Sequence, residues 1–185
     1  MSETMEGMSS SRIIRAWNRI DAWLAEHAPV TFAALPQPAT PVQVALAERM
    51  IGVTFPRELA ASLGCHNGSD DHTLLSAELI ARDFLLTAEI SRQPGIVSQV
   101  NTETPEWLPI TSDSGGGHMI LDLLGERQPR VGFRSELTNI TFPETPNWSN
   151  LSSLLEHVAS SLETMKPVDG CHPIISEGEL LWDYQ

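Results

Sequence analysis

The sequence predicts an α+β protein: a single domain with a small mixed or antiparallel sheet packed against N-terminal and C-terminal helices. Helical periodicities occur first, short strand-like runs separated by turns follow, and one long helical repeat comes near the end. Helices and strands therefore occur in blocks rather than in alternation, which is typical of α+β proteins. The chain of 185 residues is the size of one ordinary domain.

An apolar repeat with spacings of four, three and four residues predicts the first helix: Ile13, Trp17, Ile20, Leu24. Such spacing places all four side chains on one helix face, and Pro29 marks the end of the pattern. We expect residues 1–12, which are mostly polar, to form a flexible leader. Residues 29–39, rich in Pro and Ala, read as a link to the next helix.

A second helix is predicted to begin at Thr40, because Thr40 and Gln43 are spaced as a capping box and Pro41 suits the first helical position. Val42, Leu46 and Met50 follow at intervals of four, and Gly52 is placed to end the helix. A third, short helix is expected after Pro56, with a buried side formed by Leu59 and Leu63. The Asn67-Gly68 pair predicts a turn directly afterwards.

The middle of the chain predicts strands. Short strands are expected at residues 74–75 and 79–80, and a helix is expected to start near Thr87. Three runs then have strand character: residues 107–110, 118–123 and 130–134. A glycine turn at residues 114–117 separates the first two, so an antiparallel meander is predicted.

The clearest helix lies near the end of the chain, where apolar residues recur at three and four: Leu151, Leu154, Leu155, Val158, Leu162, Met165. Asn147 or Ser149 is a candidate N-cap for this helix. Residues 13–166 are therefore predicted to form the domain. Residues 167–185 are predicted to form an acidic C-terminal tail that can dock on it, and residues 179–182 read either as a last strand or as a docked segment.

The net charge of −13 argues against several functions. Nucleic acids and anionic membranes attract basic surfaces, so we expect neither as a partner. Residues 1–66 carry six acids and five bases, whereas residues 67–185 carry eighteen acids and six bases. No Lys or Arg occurs from residue 93 to residue 126. Solubility alone can explain such acidity, but a cationic protein partner fits it as well.

The chain is expected to be cytoplasmic. No apolar run approaches the roughly 18 residues of a membrane span, and the first residues lack the apolar core of a secretory signal. In that compartment Cys65 and Cys171 are expected to be reduced thiols rather than a disulfide.

Motifs for catalysis are scarce. The sequence lacks the phosphate-binding, dinucleotide-binding, serine-hydrolase and zinc-protease signatures, and it predicts no cofactor. One cluster has the residue types of a metal-dependent hydrolase: His66, Asp70, Asp71 and His72, with Asp113 and His118. Its spacing matches no recognised ligand pattern, so an exposed polar loop is the favoured interpretation. A zinc site from Cys65-His66 and Cys171-His172 is disfavoured, because adjacent side chains usually point apart.

Taken in order, several motifs resemble those of the SUKH superfamily, which includes the fungal Smi/Knr-type cell-wall assembly regulators. The resemblance spans about residues 13–165, and its most specific part is Pro-x-Trp-Leu-Pro-Ile, then Asp, Gly-Gly and a strand with a central Asp. The residues that carry it are Trp17, Ile20, Gly52, Pro56, Glu58, Leu59, Gly68, Trp107, Pro109, Ile110, Gly116 and Asp122. We expect these residues to determine the fold, with Trp17 and Trp107 in the core and positive φ at Gly68 and Gly116.

The resemblance implies a non-catalytic protein-binding module. Bacterial members of the superfamily are typically immunity proteins that neutralise polymorphic toxins, often nucleases, and others are adaptors in signalling or cell-wall regulation. The leading hypothesis is therefore an immunity protein for a basic toxin, the second is an adaptor, and the third is the metal-dependent hydrolase. Candidate contacts with a cationic partner are Asp70, Asp71, Glu103, Glu106 and Asp113.

Overall fold

A computed structural model of the chain describes residues 2–69, 74–91, 107–112, 117–123, 129–135, 139–141 and 148–184. The helices are α1 Ser2–His27, α2 Pro29–Ala34, α3 Pro41–Ile51, α4 Arg57–Leu63, α5 Ala77–Ser91 and α6 Leu151–Thr164. The strands are β1 Trp107–Pro109, β2 His118–Asp122, β3 Arg130–Ser135, β4 Asn139–Thr141, β5 Cys171–Ser176 and β6 Glu179–Tyr184. These elements confirm the predicted single α+β domain.

The main sheet is the predicted antiparallel meander, with strand order β1-β2-β3-β4. Leu108 pairs with Leu121, which pairs in turn with Val131, so three apolar residues lie in line across the first three strands. All three are buried. Pro109 occupies β1, a sheet edge, where its missing N–H costs least. Strand β4 has no counterpart among the predicted elements.

Helices α1 and α6 form the largest helix–helix contact and line the core with apolar side chains. They run in the same direction, because Arg12 pairs with Glu156 and Arg19, seven residues later, pairs with Glu163. The core face of α1 is the predicted one: Ile13, Trp17, Ile20 and Leu24 are all buried. The helix begins at Ser2, so residues 2–12, which the sequence assigns to a flexible leader, are helical here.

Helix α3 begins as predicted, with both hydrogen bonds of the Thr40–Gln43 capping box, and it ends at Gly52 in the left-handed conformation. The face that α3 buries is not the one on which its regularly spaced apolar residues lie. The stripe of Val42, Leu46 and Met50 is exposed, and the helix buries Ala47 and Ile51 instead.

Three further predictions are wrong: the strand at residues 79–80, the helix start near Thr87 and the N-cap of α6. Residues 79–80 are not a strand, since α5 runs continuously from Ala77, ten residues before the predicted start at Thr87. The Ser76 hydroxyl accepts a hydrogen bond from the Leu79 N–H, so a serine caps a helix that apolar patterning alone did not reveal. Helix α6 is capped by Asn150, whose side chain accepts from the Ser153 N–H, and not by residues 147 or 149.

The C-terminal tail forms a hairpin of β5 and β6 that docks on α2. The turn residues Glu177 and Gly178 both have positive φ, as a two-residue turn of type I′ requires. The Val30 N–H donates to the Gly178 carbonyl at 3.0 Å, and the Leu180 N–H donates to the Thr31 hydroxyl at 2.8 Å. The expected link at residues 29–39 therefore contains a helix that holds the tail.

Candidate functional site

A polar cluster centred on Trp17 includes His66, a residue of the predicted metal-dependent hydrolase cluster. The buried Trp17 indole donates to the Ser62 hydroxyl at 2.9 Å, and its ring meets the His66 ring edge-on with 5.0 Å between centroids. The Nδ1 atom of His66 lies 3.0 Å from the Pro36 carbonyl, and its Nε2 atom lies 3.0 Å from an Asp21 carboxylate oxygen. The cluster thus connects α1, α4 and the segment before α3.

Each ring nitrogen of His66 lies within hydrogen-bond distance of an oxygen atom of the fold, so the ring is held between α1 and the segment before α3. The neighbouring thiol is poorly suited to act as a nucleophile. Burial, with a smaller contribution from the negative charge of Asp21, raises the pKa of Cys65 above its ordinary value. A raised pKa lowers the thiolate fraction at neutral pH, and the thiolate is the reactive form.

Glu58, a residue of the family resemblance, is a buried carboxylate at the N-terminus of α6. It accepts hydrogen bonds from the backbone N–H and the hydroxyl of Ser152, at 3.2 and 3.1 Å. The first N–H groups of a helix lack internal partners and carry partial positive charge, so a carboxylate is stabilised there. Glu58 therefore joins α4 to α6 and is a structural residue.

Asp122 is also buried and also internally paired. Its carboxylate accepts from the guanidinium of Arg130, its partner across β2 and β3, at 2.6 and 3.0 Å. Ile110 and Leu59 are core residues, in line with their predicted structural role. Trp107 is only half-buried, in contrast to the core position predicted for it.

Gly68 follows the Asn67 turn and has a φ of +88°, the conformation expected at this position. A β-carbon here would lie 2.7 Å from the Leu74 carbonyl oxygen and 2.7 Å from the Ser76 nitrogen, both backbone atoms. Only glycine therefore allows the chain after α4 to approach the segment leading into α5. Gly116 lies outside the described residues.

No group of three or more His, Cys, Asp or Glu side chains that could hold a metal is present among the described residues. That part of the chain includes Cys65, His66, Cys171 and His172, so the two Cys-His pairs form no such group, and both cysteines are free thiols. His118 has its Nδ1 atom 2.7 Å from the Thr111 carbonyl. Asp70, Asp71 and His72 of the proposed hydrolase cluster lie outside the described residues.

Two cavities in the described part of the chain differ in size and lining. The first, beneath Trp17 and His66, has a volume of about 10 Å³, roughly that of one water molecule. The second is an open depression of about 350 Å³ between α1 and α6, beside the Arg19–Glu163 ion pair. The first is too small for a substrate, and the second presents an ion pair already satisfied within the fold.

The five acidic residues predicted to contact a partner, Asp70, Asp71, Glu103, Glu106 and Asp113, all lie outside the described residues. The structure instead draws attention to residues that the sequence analysis did not single out. Asp21, Ser62 and Ser152 complete buried polar contacts, and no sequence motif marks them. The Glu177-Gly178 pair between two apolar runs, residues 173–175 and 180–182, was the available signal for the exposed hairpin.

A model of the SMI1 / KNR4 family (SUKH-1) matches residues 38–165, well over half of the chain. The chain belongs to this family. The match includes the structural residues Glu58, Gly68 and Asp122 and excludes α1, α2 and the C-terminal hairpin.

Curated relatives are fungal. The chain is 39% identical over 61 residues to a KNR4/SMI1 homolog of Eremothecium gossypii, a match covering 33% of this chain and 9% of the relative. It is 36% identical over 70 residues to the cell wall assembly regulator SMI1 of Saccharomyces cerevisiae, covering 38% of this chain and 14% of the relative. The chain thus spans only a small part of the length of these relatives. None of the helices within the described ranges is both long and apolar enough to cross a membrane.

Proposed function

We propose that this SUKH-1 chain is a non-catalytic interaction module that binds a cationic protein. The observation that carries the proposal is the charge distribution: residues 67–185 hold eighteen of the 24 acids against six of the 11 bases. An acidic surface attracts a basic partner over long range and speeds its association. The internal pairing of Glu58, His66 and Asp122 supports a module without catalysis, because these groups are occupied in maintaining the fold.

The specific role that we propose first is immunity, in which the chain neutralises a basic toxin domain, such as a nuclease, in the cytoplasm. A nuclease must present a basic cleft to its substrate, and an acidic inhibitor can occupy that cleft. Asp70, Asp71, Glu103, Glu106 and Asp113 remain the proposed contacts, because residues 93–126 contain acids but no bases.

A regulatory adaptor is the second candidate, and the names of the relatives favour it. One of the proteins that the chain resembles is named a cell wall assembly regulator. In this role the same module would bind a cellular protein instead of a toxin, and cell survival would not depend on the complex.

The interaction is tested by using the full chain as bait to capture partner proteins. The captured protein with the highest Lys and Arg content is then purified, and its binding to the chain is measured. We expect its association rate to fall at least tenfold between 50 and 500 mM salt, the signature of electrostatic steering. The Glu103→Lys/Glu106→Lys variant should bind more weakly, whereas Glu26→Lys, on exposed α1 surface, should bind nearly as the wild type does. Unchanged affinity of the double variant would remove these two residues from the interface.

The role is tested by co-expression with a toxin encoded beside the gene. Immunity predicts that cells survive induction of the toxin only when the chain is present. If the partner is not toxic and its loss alters the cell wall instead, the adaptor is correct and the immunity role is wrong. Failure to bind any basic protein would overturn the proposed function as a whole.

A further inference from the structure

The outer face of the C-terminal hairpin carries exposed apolar side chains. Alternation along the two strands places six side chains on this face: His172, Ile174, Ser176, Glu179, Leu181 and Asp183. Ile174 and Leu181 are directly paired across the strands and remain 41% and 48% exposed. The opposite face is the one that meets the core, through the buried Pro173 and the half-buried Leu180 and Trp182.

The edges of the hairpin are closed to an added strand at several positions. On β5, Cys171 exchanges both backbone hydrogen bonds with Val168, and Pro173 has no N–H to donate. On β6, the Leu180 N–H is bonded to the Thr31 hydroxyl. Backbone pairing with a partner strand is therefore disfavoured, and the outer face is the part of the hairpin that a partner can cover.

The charges on this face favour a basic partner. Glu179 and Asp183 lie two residues before and two residues after Leu181, so they border it on the same face of β6. The two carboxylates are about 13 Å apart along the strand, from the usual rise per residue. Residues 167–184 contain two further acids, Asp169 and Glu177, and no Lys or Arg.

We infer that the outer face of the hairpin is a docking surface for a protein segment in which Lys or Arg residues flank apolar side chains. Leu181 and Ile174 provide the apolar contact, and Glu179 and Asp183 select the basic flanks. The inference rests on the proposed function, because it names the surface through which the interaction module binds. It also places that surface outside residues 38–165, which the family model covers.

The exposed apolar stripe of α3 can be compared with the outer face of the hairpin. Val42 and Leu46 are more exposed than either residue of the hairpin pair, and the exposure of Met50 lies between those of the two. The acid of that helix, Glu48, is occupied in accepting from the Phe55 N–H. The stripe therefore lacks the flanking carboxylates that would select a basic segment. Val42→Asp is the matched control for Leu181→Asp, since each replaces an exposed apolar residue by the same charge.

The test is an NMR titration of the full ¹⁵N-labelled chain with a synthetic peptide of sequence Thr-Arg-Thr-Val-Thr-Arg-Thr. We expect chemical-shift changes concentrated at residues 172–183, and none with the peptide in which both Arg are replaced by Glu. Leu181→Asp should weaken peptide binding at least tenfold, and Val42→Asp less than twofold. The Glu179→Gln/Asp183→Asn variant removes only charge, so it tests the surface even if Leu181→Asp does not fold.

Shift changes centred elsewhere, or wild-type affinity of the charge variant, would overturn the inference. If the captured basic protein binds but the hairpin variants bind it equally well, the inference fails and the proposed function stands. If the peptide binds at the hairpin but no basic protein is captured, the docking chemistry is correct and the proposed function fails.

Discussion

At the scale of single residues, the residues behind the family resemblance act through internal contacts. Glu58 satisfies donors at the start of α6, Trp17 donates to Ser62, and Gly68 allows two backbone segments to meet. Each contact satisfies a buried polar group or permits a close approach, both of which are expensive to lose. Such residues should respond to mutation through stability first and binding second.

Gly68→Ala should be far more damaging than Gly52→Ala. Both glycines have positive φ, which costs a residue with a β-carbon about 1–2 kcal/mol. At Gly52 a β-carbon meets nothing within 4 Å, whereas at Gly68 it lies 2.7 Å from two backbone atoms. We expect Gly52→Ala to lower the free energy of unfolding by about 1 kcal/mol, and Gly68→Ala to leave little folded protein. Equal urea midpoints for the two variants would contradict this geometry.

Glu58→Ala should destabilise the protein by about 1–3 kcal/mol, because it leaves the buried Ser152 N–H without its acceptor. The Ser152 hydroxyl keeps the Asn150 side-chain oxygen, at 2.9 Å, as an acceptor. Glu58→Gln retains one acceptor oxygen and should cost less. Glu78→Ala, on the exposed side of α5, is the control and should be nearly neutral. Urea unfolding followed by tryptophan fluorescence measures all three, and a neutral Glu58→Ala would show that α6 does not depend on this carboxylate.

The sequence predicted a structural role for Glu58 and Asp122, but it did not reveal which residues they contact. The distance along the chain explains the difference. A capping box such as Thr40 to Gln43 is local, so spacing alone reveals it. Glu58 and Ser152 are 94 positions apart and meet only because α4 and α6 pack together. Contacts of that kind depend on tertiary structure and leave no local signal.

At the scale of elements, the parallel contact of α1 and α6 combines a buried apolar seam with a partly exposed row of ion pairs. The guanidinium of Arg12 bonds both carboxylate oxygens of Glu156, and Arg19 does the same with Glu163. The second pair follows the first by seven residues on each helix, which is about two turns, so both pairs lie on the same side of the seam. Their side chains are about 40% exposed, which limits their contribution through solvent screening.

These ion pairs predict an acid-dependent loss of stability. Hydrogen bonds from Arg12 and Arg19 lower the pKa values of Glu156 and Glu163. A carboxyl group with a lowered pKa in the folded state stabilises the fold above its unfolded pKa, about 4.3, and loses that contribution as the pH falls through the folded pKa. Glu156→Gln/Glu163→Gln should therefore cost about 1 kcal/mol at pH 7.

The difference in unfolding free energy between this double variant and the wild type should begin to shrink as the pH falls below about 4.3. It should approach zero only below the lowered folded-state pKa values, where the wild-type carboxyl groups are protonated too. It should also decrease in 1 M salt, because screening weakens exposed pairs. A difference that persists undiminished at pH 3 would mean that the glutamates act through packing. Urea titrations at the two pH values measure it.

Helices were predictable where the spacing of apolar residues agreed with residues that typically begin or end a helix, as in α1, α3 and α6. The predictions failed where they relied on short apolar runs: residues 79–80 have the composition of a strand but belong to α5. The face of α3 was also not predictable, because Val42 and Leu46 have the correct spacing for a core stripe and yet are exposed. Which stripe a helix buries depends on the neighbours it packs against.

At the scale of the whole molecule, the folded unit extends beyond the matched family region. Helix α1 lies before residue 38 and supplies Ile13, Trp17, Ile20 and Leu24 to the core. The hairpin after residue 166 contributes less, with Val168 in the core and its inner face docked on α2. The two flanks should therefore differ in how much the fold depends on them.

Removal of residues 1–37 should abolish cooperative folding, whereas removal of residues 167–185 should only lower the unfolding midpoint. Without α1, the buried face of α6, including Leu155 and Leu162, would be exposed to water, and each large apolar side chain contributes about 1.5–3 kcal/mol when buried. Domains of this size are stable by only about 5–15 kcal/mol, so the loss of a whole core helix exceeds the margin. Near-UV circular dichroism reports the packing of the buried Trp148 in both truncated chains, and also that of Trp23 in the chain that lacks residues 167–185. A cooperative transition in the chain of residues 38–185 would show that the family region folds alone and that α1 is an addition to it.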